Sequence, residues 1–88
     1  MNFDILQLLR DYNVEHCASG HKHVQAGWIG VRCPFCTGNP GWHLGWNISG
    51  GFWHCWRCGW HPLHATVAAI LSVPERATTH ILANYKLR

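Results

Sequence analysis

Two Cys-x-x-Cys pairs provide the clearest chemistry in this chain: Cys33-Pro34-Phe35-Cys36 and Cys55-Trp56-Arg57-Cys58. A two-residue gap lets one tight turn present two thiolates, and two such turns joined by a hairpin supply the tetrahedral ligand set that zinc prefers. All four ligands would be protein sulfur atoms, which leaves no coordination position for water or substrate. The spacing therefore predicts one structural Zn²⁺ ion held by Cys33, Cys36, Cys55 and Cys58.

Two disulfides, or a redox-active cysteine pair, are the alternatives to a metal site. A disulfide framework belongs to secreted proteins. The N-terminal residues Met1-Asn2-Phe3-Asp4 lead into an amphipathic stretch rather than the apolar segment of a signal peptide, so we expect no such framework. A redox motif needs only one of the two pairs. Zinc is the interpretation that uses both.

A second group of potential zinc ligands precedes the first pair: His16, Cys17, His21 and His23. Its spacing matches no closed ligand pattern, and Gly20 interrupts any regular element there. The favoured interpretation is a polar loop with one free cysteine, and a second metal site stays the open alternative.

The composition describes one small domain in which a metal supplements a modest core, since the chain has only 88 residues. Six tryptophans and eight histidines are unusual for this length. The aromatic residues concentrate between Trp28 and Trp60, and they exceed what a small core can bury. We therefore expect some of these rings to be exposed and available to a ligand.

Charge gives weak support for a nucleic-acid partner. The formal charge is +3, but four thiolates around a divalent ion bring the metal-loaded protein closer to neutral. The distribution is more informative, because residues 16–74 contain no carboxylate and the acids are Asp4, Asp11, Glu15 and Glu75. No run of about 18 apolar residues is present. We expect a cytoplasmic protein with no membrane partner.

Hydrophobic periodicity places these motifs on a short series of elements. It predicts a helix over about residues 2–11 with Asn2 as N-cap, and strands over 28–32, 43–48 and 52–54. Ser49-Gly50-Gly51 forms the hairpin turn between the last two strands. A helix follows over about 63–72, and Pro74 precedes another over about 75–86.

The predicted fold class is thus a small zinc-stapled α+β domain, a three-stranded antiparallel zinc ribbon flanked by N- and C-terminal helices. Within this one domain, residues 1–27 are the N-terminal helix and connector. Residues 28–62 are the zinc ribbon, and residues 63–88 are the C-terminal helical segment.

The segment from about residue 28 to 72 resembles the zinc-binding domain of bacterial and phage DNA primases. The likeness lies in Cys33-Pro34-Phe35, in His54-Cys55, in the aromatic residue Trp56 and in Cys58-Gly59. Two departures are present. Cys36 stands where the family usually has a histidine ligand, and Trp60-His61-Pro62-Leu63-His64 replaces an acidic, glycine-rich segment.

The resemblance implies a module that binds the single-stranded DNA template and helps to choose the initiation site, in the cytoplasm of a bacterium or of a phage-infected host. It would then pass the nascent primer to a primase catalytic domain or helicase, in the same or another chain. A polymerising domain needs clustered carboxylates for its metal ions. This chain has four acids, with none in its central region, so we expect it not to be an enzyme by itself.

Strand alternation divides the candidate DNA-binding residues from the candidate core. One face of 42–48 carries Trp42, Leu44, Trp46 and Ile48, and the other carries His43, Gly45 and Asn47. Leu44, Ile48 and Phe35 are predicted core residues, Trp28 and Trp46 are expected to pack, and His54 could serve the metal site or DNA equally well. The predicted DNA-binding residues are Arg32, His43, Asn47, Trp53, Arg57 and Lys22.

Other functions remain as alternatives. A protein-interaction zinc ribbon could use exposed tryptophans to dock a replication enzyme. A regulator of duplex DNA ranks last because residues 63–72 are apolar and lack a basic recognition helix. A metal-dependent hydrolase is disfavoured because four cysteine ligands leave no open position.

Overall fold

A single antiparallel sheet organises the chain. The computed structural model describes residues 2–17, 24–36 and 41–87. The strand order in the sheet is β1-β2-β3-β4-β5. The elements run in the order α1 (Ile5–Asp11), β1 (His16–Cys17), β2 (Trp28–Val31), β3 (Leu44–Asn47), β4 (Phe52–Cys55), β5 (Gly59–His61), α2 (Leu63–Leu71), a 3₁₀ turn (Glu75–Ala77) and α3 (Thr78–Ala83).

The α+β class is confirmed, but the prediction of three strands is wrong, because the described part of the chain forms five. The two additional strands lie at the edges and are very short. β1 pairs with β2 through His16 opposite Val31 and Cys17 opposite Gly30. β5 pairs with β4 because Gly59, at φ +95°, turns the chain back at once after Cys58. Glycine adopts this left-handed conformation without the strain a side chain would bring.

The core lies on one face of the sheet, beneath the helices. Directly opposed residues of antiparallel strands share a face, and the register places Leu44 opposite Cys55 and Trp46 opposite Trp53. α1 contributes Ile5, Leu8 and Leu9 to the same cluster. The other buried members come from the sheet and from the C-terminal helices: Ile29, Val31, Val67 and Leu82.

Trp53 belongs to this core, so its predicted place on a DNA-binding surface is wrong. Its side chain is 0% exposed, and its ring centroid lies 5.2 Å from that of Trp46. The hairpin explains the difference. Asn47 Oδ1 accepts from the Gly50 N–H at 2.6 Å, and the register that this turn sets puts Trp53 opposite Trp46. Alternation along β4 places Phe52 and His54 on the opposite face from Trp53, and the face that carries Trp53 is the one that meets the core.

The other core predictions are confirmed in part. Leu44 and Trp46 are buried as predicted, and Trp28 is half-buried. Phe35 and Ile48, each 40% exposed, were wrongly predicted to lie in the core. Phe35 instead stacks on the ring of His61. Ile48 follows the end of β3, outside the ladder.

The N-cap of helix α1 is Asp4 rather than the predicted Asn2. The Asp4 carboxylate accepts from the Gln7 N–H at 3.2 Å, which satisfies one of the unpaired donors of the first turn. Asn2 has a tertiary role, because its amide donates to the Ile48 carbonyl at 2.6 Å and so ties the N-terminal segment to the hairpin.

Helix α2 matches its prediction closely, whereas the last predicted helix is divided. Residues 75–86 form the 3₁₀ turn and then α3, which ends at Ala83. The chain becomes extended beyond that point because it pairs with the N-terminal segment. Lys86 forms an antiparallel β-bridge with Phe3, and the Tyr85 carbonyl accepts from the Asp4 N–H at 2.7 Å. The Tyr85 hydroxyl also donates to Asp11, a bond that raises the pKa of Tyr85 to about 12.

Trp53 gives a test of this core assignment. Its Nε1 is fully buried and finds no hydrogen-bond partner among the described residues. Trp53→Phe keeps an aromatic ring and removes that unpaired N–H, so we expect a cost of about 1 kcal/mol or less. Trp53→Ala leaves a cavity and should cost about 3–5 kcal/mol. Chemical denaturation of both variants measures these values. Equal, small losses would contradict the buried placement.

Candidate metal centre and outer sheet face

The topology brings both cysteine pairs to one end of the sheet. β2 and β4 are each antiparallel to β3 and therefore run in the same direction. Cys33 and Cys36 follow the end of β2, while Cys55 ends β4 and Cys58 lies in the turn before β5. The strand directions thus bring together two tight turns that are well separated in sequence.

The four sulfur atoms form a compact cluster, all within 4.8 Å of one another. The Sγ–Sγ distances are 3.6 Å for Cys33–Cys58, 3.5 Å for Cys36–Cys55 and 3.2 Å for Cys36–Cys58. A tetrahedral ion with metal–sulfur bonds of 2.3 Å would set these edges at about 3.8 Å. None of the five cysteines forms a disulfide. The cluster therefore fits a metal ion such as zinc.

Both turns present their first cysteine in the same way. Cys55 Sγ accepts from the backbone N–H groups of Arg57 and Cys58, at 3.4 and 3.5 Å. Cys33 Sγ accepts from those of Phe35 and Cys36. Backbone N–H groups aimed at sulfur stabilise a thiolate, and they hold each turn in the shape that points both sulfurs at one site.

The cluster ionises unevenly. Burial opposes ionisation of Cys55, but the N–H groups of Cys58 and Arg57 and two neighbouring thiols together lower its pKa to about 7. The pKa of Cys58 is raised, mainly by hydrogen bonding to the Cys36 thiol and secondly by burial. Burial also raises the pKa of Cys33. A cation must therefore displace protons from Cys33 and Cys58, so metal affinity falls as the pH falls.

His61 also reaches the cluster, although the sequence pattern did not single it out. Its Nε2 lies 2.9 Å from Cys58 Sγ, and its ring stacks on Phe35 with centroids 4.1 Å apart. His61 stands three residues after Cys58, in the strand β5 that was not predicted. The only sequence signal was that spacing, together with the glycine that makes the turn.

The outer face of the sheet carries most of the remaining aromatic rings. One cross-strand row on this face consists of Gly30, Gly45, His54 and Trp60. The neighbouring row consists of Trp28, Asn47 and Phe52. The Trp28 ring makes edge contacts with Phe52 and Trp56, at centroid distances of 5.6 and 4.9 Å. Trp56 and Trp60 are 51% and 64% exposed. This face thus combines rings held in place with rings open to solvent.

The structure places two of the predicted DNA-binding residues at the metal end of the sheet. Arg32 follows β2, pairs with Glu15 at 2.9 Å and lies over the Trp42 ring at 4.8 Å. Arg57 is exposed in the turn between Cys55 and Cys58. Exposed ion pairs such as Arg32–Glu15 contribute little stability, so a phosphate could compete with Glu15 for the guanidinium.

The other DNA-binding candidates have different surroundings. His43 is half-buried and lines a cavity on the outer face. Asn47 also lies on this face, but its side-chain oxygen accepts hydrogen bonds from the hairpin turn. Trp53 is in the core. Lys22 lies outside the described residues.

The possible second metal group is only half described, because His21 and His23 also lie outside the described residues. His16 and Cys17 are adjacent in β1 and so point to opposite faces. His16 Nδ1 contacts the Val14 carbonyl at 2.7 Å. Burial raises the pKa of Cys17. These two residues show no arrangement of their own that would hold a metal.

Comparison with protein-family models, with curated proteins and with solved structures finds no match to this chain. The resemblance to primase zinc-binding domains accordingly stays a prediction. None of the helices that the structure describes has the length and apolar character needed to cross a membrane.

The cysteine cluster predicts one bound metal ion per chain. Cys55→Ser removes the predicted ligand whose thiol pKa is lowered to about 7. It should lower metal affinity by more than the roughly 10–100-fold lost with a residue that only hydrogen-bonds a ligand. Cys17→Ser is the matched control and should leave both metal content and affinity unchanged. Competition with a chelator measures the affinity, and an equal loss in both variants would contradict the assignment.

The contact between His61 and Cys58 predicts unequal effects of the ligand cysteines. An imidazole is a good ligand for the same metals, so His61 should partly replace the sulfur lost in Cys58→Ser. That variant should retain more affinity than Cys55→Ser, and adding His61→Ala should abolish the difference. Adding His80→Ala, on the exposed side of α3, is the control. Cobalt absorption spectra report the number of thiolate ligands, and identical spectra for both double variants would count against this role.

Proposed function

We propose that this chain is a zinc-binding module that binds single-stranded DNA. In this proposal it recognises the template for a primase or primase–helicase whose catalytic domain lies elsewhere, in the same or another chain. The observation that carries the proposal is the outer face of the sheet. It presents aromatic rings beside arginines, in a segment, residues 16–74, that contains no carboxylate.

Zinc is the metal that we assign to the four cysteines. Tetrahedral sites made of four thiolates suit zinc or iron. Zinc needs no redox role and serves as a structural ion when every ligand comes from the protein. Elemental analysis of the protein as purified distinguishes the two metals. In this assignment the ion holds in place the turn that carries Trp56 and Arg57.

Single strands suit the outer face better than duplex DNA. Binding of single strands combines cations that follow the phosphates with rings on which unpaired bases stack. Trp56, Trp60 and Phe52 supply exposed rings, while Arg32 and Arg57 supply positive charge at the metal end. Reading a duplex usually requires a basic helix in the major groove. Helix α2, with the sequence LHATVAAIL, has no lysine or arginine.

The catalytic step of primer synthesis is assigned to another domain. Polymerising sites bind their metal ions through clustered carboxylates. Here Asp4 caps α1, Asp11 accepts from Tyr85, and Glu15 pairs with Arg32. The fourth acid, Glu75, begins the 3₁₀ turn. These roles are structural and lie in different parts of the molecule.

A protein-docking zinc ribbon is the second candidate. Trp60 favours it, because this residue is 64% exposed and lies on the edge strand β5. An edge strand with an exposed aromatic residue can add a strand from a partner. This function predicts no affinity for nucleic acid, so the same experiment separates the two candidates.

Titration of the zinc-loaded chain with labelled single-stranded and duplex oligonucleotides tests the proposal. We expect sequence-dependent binding of single strands that weakens with salt. Arg57→Ala should lower the affinity and make the slope of log K against log salt shallower by about 0.7, the value for one phosphate contact on a single strand. Arg76→Ala, in the 3₁₀ turn, is the charge-matched control and should change neither.

Absence of binding with zinc confirmed present would overturn the proposal and leave protein docking as the better account. Equal affinity for duplex and single strands would overturn the assignment to single-stranded template.

A further inference from the structure

A cavity of about 220 Å³ opens on the outer face of the sheet, above two glycines. Gly30 and Gly45 lie directly opposite each other in β2 and β3, so the floor of the cavity is bare backbone. The rest of the lining consists of Val24, Gln25, Trp42, His43 and Trp56.

The two glycines are required by the side chains that pack against them. A Cβ atom on Gly45 would lie 2.6 Å from the Trp56 ring and 2.8 Å from the Trp28 ring. A Cβ atom on Gly30 would lie 2.7 Å from Val24 Cγ2 and 3.1 Å from Trp42 Cβ. All three distances under 3 Å involve side chains packed above the sheet. The glycine pair therefore lets these side chains come close to the backbone around one shallow space.

The tryptophan walls are held in place by their neighbours. Trp56 makes edge contacts with Trp28 and with His54, at centroid distances of 4.9 and 5.7 Å. Arg32 lies over the Trp42 ring. Side chains that are ordered before binding lose less conformational entropy when a ligand arrives. The cavity thus offers aromatic surfaces that need little rearrangement.

Size and chemistry restrict the ligand. Drug-sized molecules occupy pockets of roughly 300–1,000 Å³, so a space of 220 Å³ suits a single ring system. Tryptophan side chains suit a planar ligand. Gln25 offers an amide donor and acceptor, and His43 offers ring nitrogens, at the same cavity. A cationic group is disfavoured, because Arg32 already lies on Trp42 and residues 16–74 contain no carboxylate.

We propose that this cavity takes one unstacked nucleobase of the bound DNA strand. The base packs against the Trp42 and Trp56 side chains above the Gly30–Gly45 floor, and Gln25 and His43 contact its polar edge. Other proteins recognise unpaired bases by this combination of stacking and hydrogen bonds to the base edge. The inference rests on the proposed single-strand binding and adds the position at which one base is recognised.

A scan of abasic sites tests the proposal with the unaltered, zinc-loaded chain. An oligonucleotide that binds is prepared in versions that each lack one base. We expect one position to lower the affinity by about 5- to 150-fold, the range that corresponds to loss of one base stack, with smaller effects elsewhere. A uniform small effect at every position would overturn the cavity proposal while leaving strand binding intact. No binding of the intact oligonucleotide would overturn both.

Variants then locate the sensitive base. Trp56→Ala should weaken binding of the intact oligonucleotide but cause little further loss when the critical base is already missing, because both changes remove the same contact. Trp60→Ala is the matched control, since Trp60 shares this face but does not line the cavity. Its effect should be the same with and without the critical base. Equal behaviour of the two variants would assign the base to another site.

Gln25→Ala tests how the base edge is read. It should reduce the difference in affinity between oligonucleotides that vary at the critical position, and leave the salt dependence unchanged. Zinc content and thermal unfolding verify that each variant is folded. If a variant does not fold, the abasic scan of the unaltered chain still decides the question.

Free deoxynucleoside monophosphates distinguish a base within a strand from a free nucleotide. They should compete only weakly with the oligonucleotide, because they lack the flanking phosphate contacts. Competition as strong as that of the oligonucleotide itself would overturn recognition within a strand.

Discussion

The direction of β2 and β4 is the constraint on which the rest of this structure depends. Both strands are antiparallel to β3, so both terminate at the same end of the sheet. The cysteine turns at their ends therefore meet at one point. The two cysteine turns also position the residues that lie next to them in sequence. Trp56 and Arg57 lie between two ligands, Arg32 directly precedes Cys33, and β5 begins immediately after Cys58. A metal ion at this point would therefore fix the side chains with which the module is proposed to bind DNA.

One sheet with two chemically different faces explains how so small a protein has both a buried core and an exposed aromatic surface. The inner face pairs Trp46 with Trp53 and Leu44 with Cys55, and the helices cover it. The outer face pairs glycine with glycine at its centre and keeps its rings around that pair. Because side chains alternate along a strand, Trp53 and Trp60, one register position apart on β4 and β5, lie on opposite faces of the sheet. Trp53 stabilises the fold, whereas Trp56 and Trp60 remain exposed to a ligand.

Local signals made part of this architecture predictable. The cysteine spacing, the Ser49-Gly50-Gly51 turn and the apolar period of residues 63–71 each depend on neighbours in sequence, and the corresponding cluster, hairpin and helix α2 are present. The edge strands were missed because two or three residues cannot show a period, and their pairing partners are set by tertiary structure. Trp53 was misplaced because alternation shows which residues share a face but not which face is buried. The roles of His61 and of the glycine pair depend on cross-strand register, which the sequence pattern alone did not provide.

The central claim is that the outer face of the zinc-stapled sheet binds single-stranded DNA. It is tested most directly by following the six indole N–H resonances of the zinc-loaded chain during titration with a single-stranded oligonucleotide. The account predicts that the signals of Trp42 and Trp56 shift most, while those of the buried Trp46 and Trp53 change little. Unchanged spectra at saturating oligonucleotide, or shifts confined to Trp46 and Trp53, would contradict it.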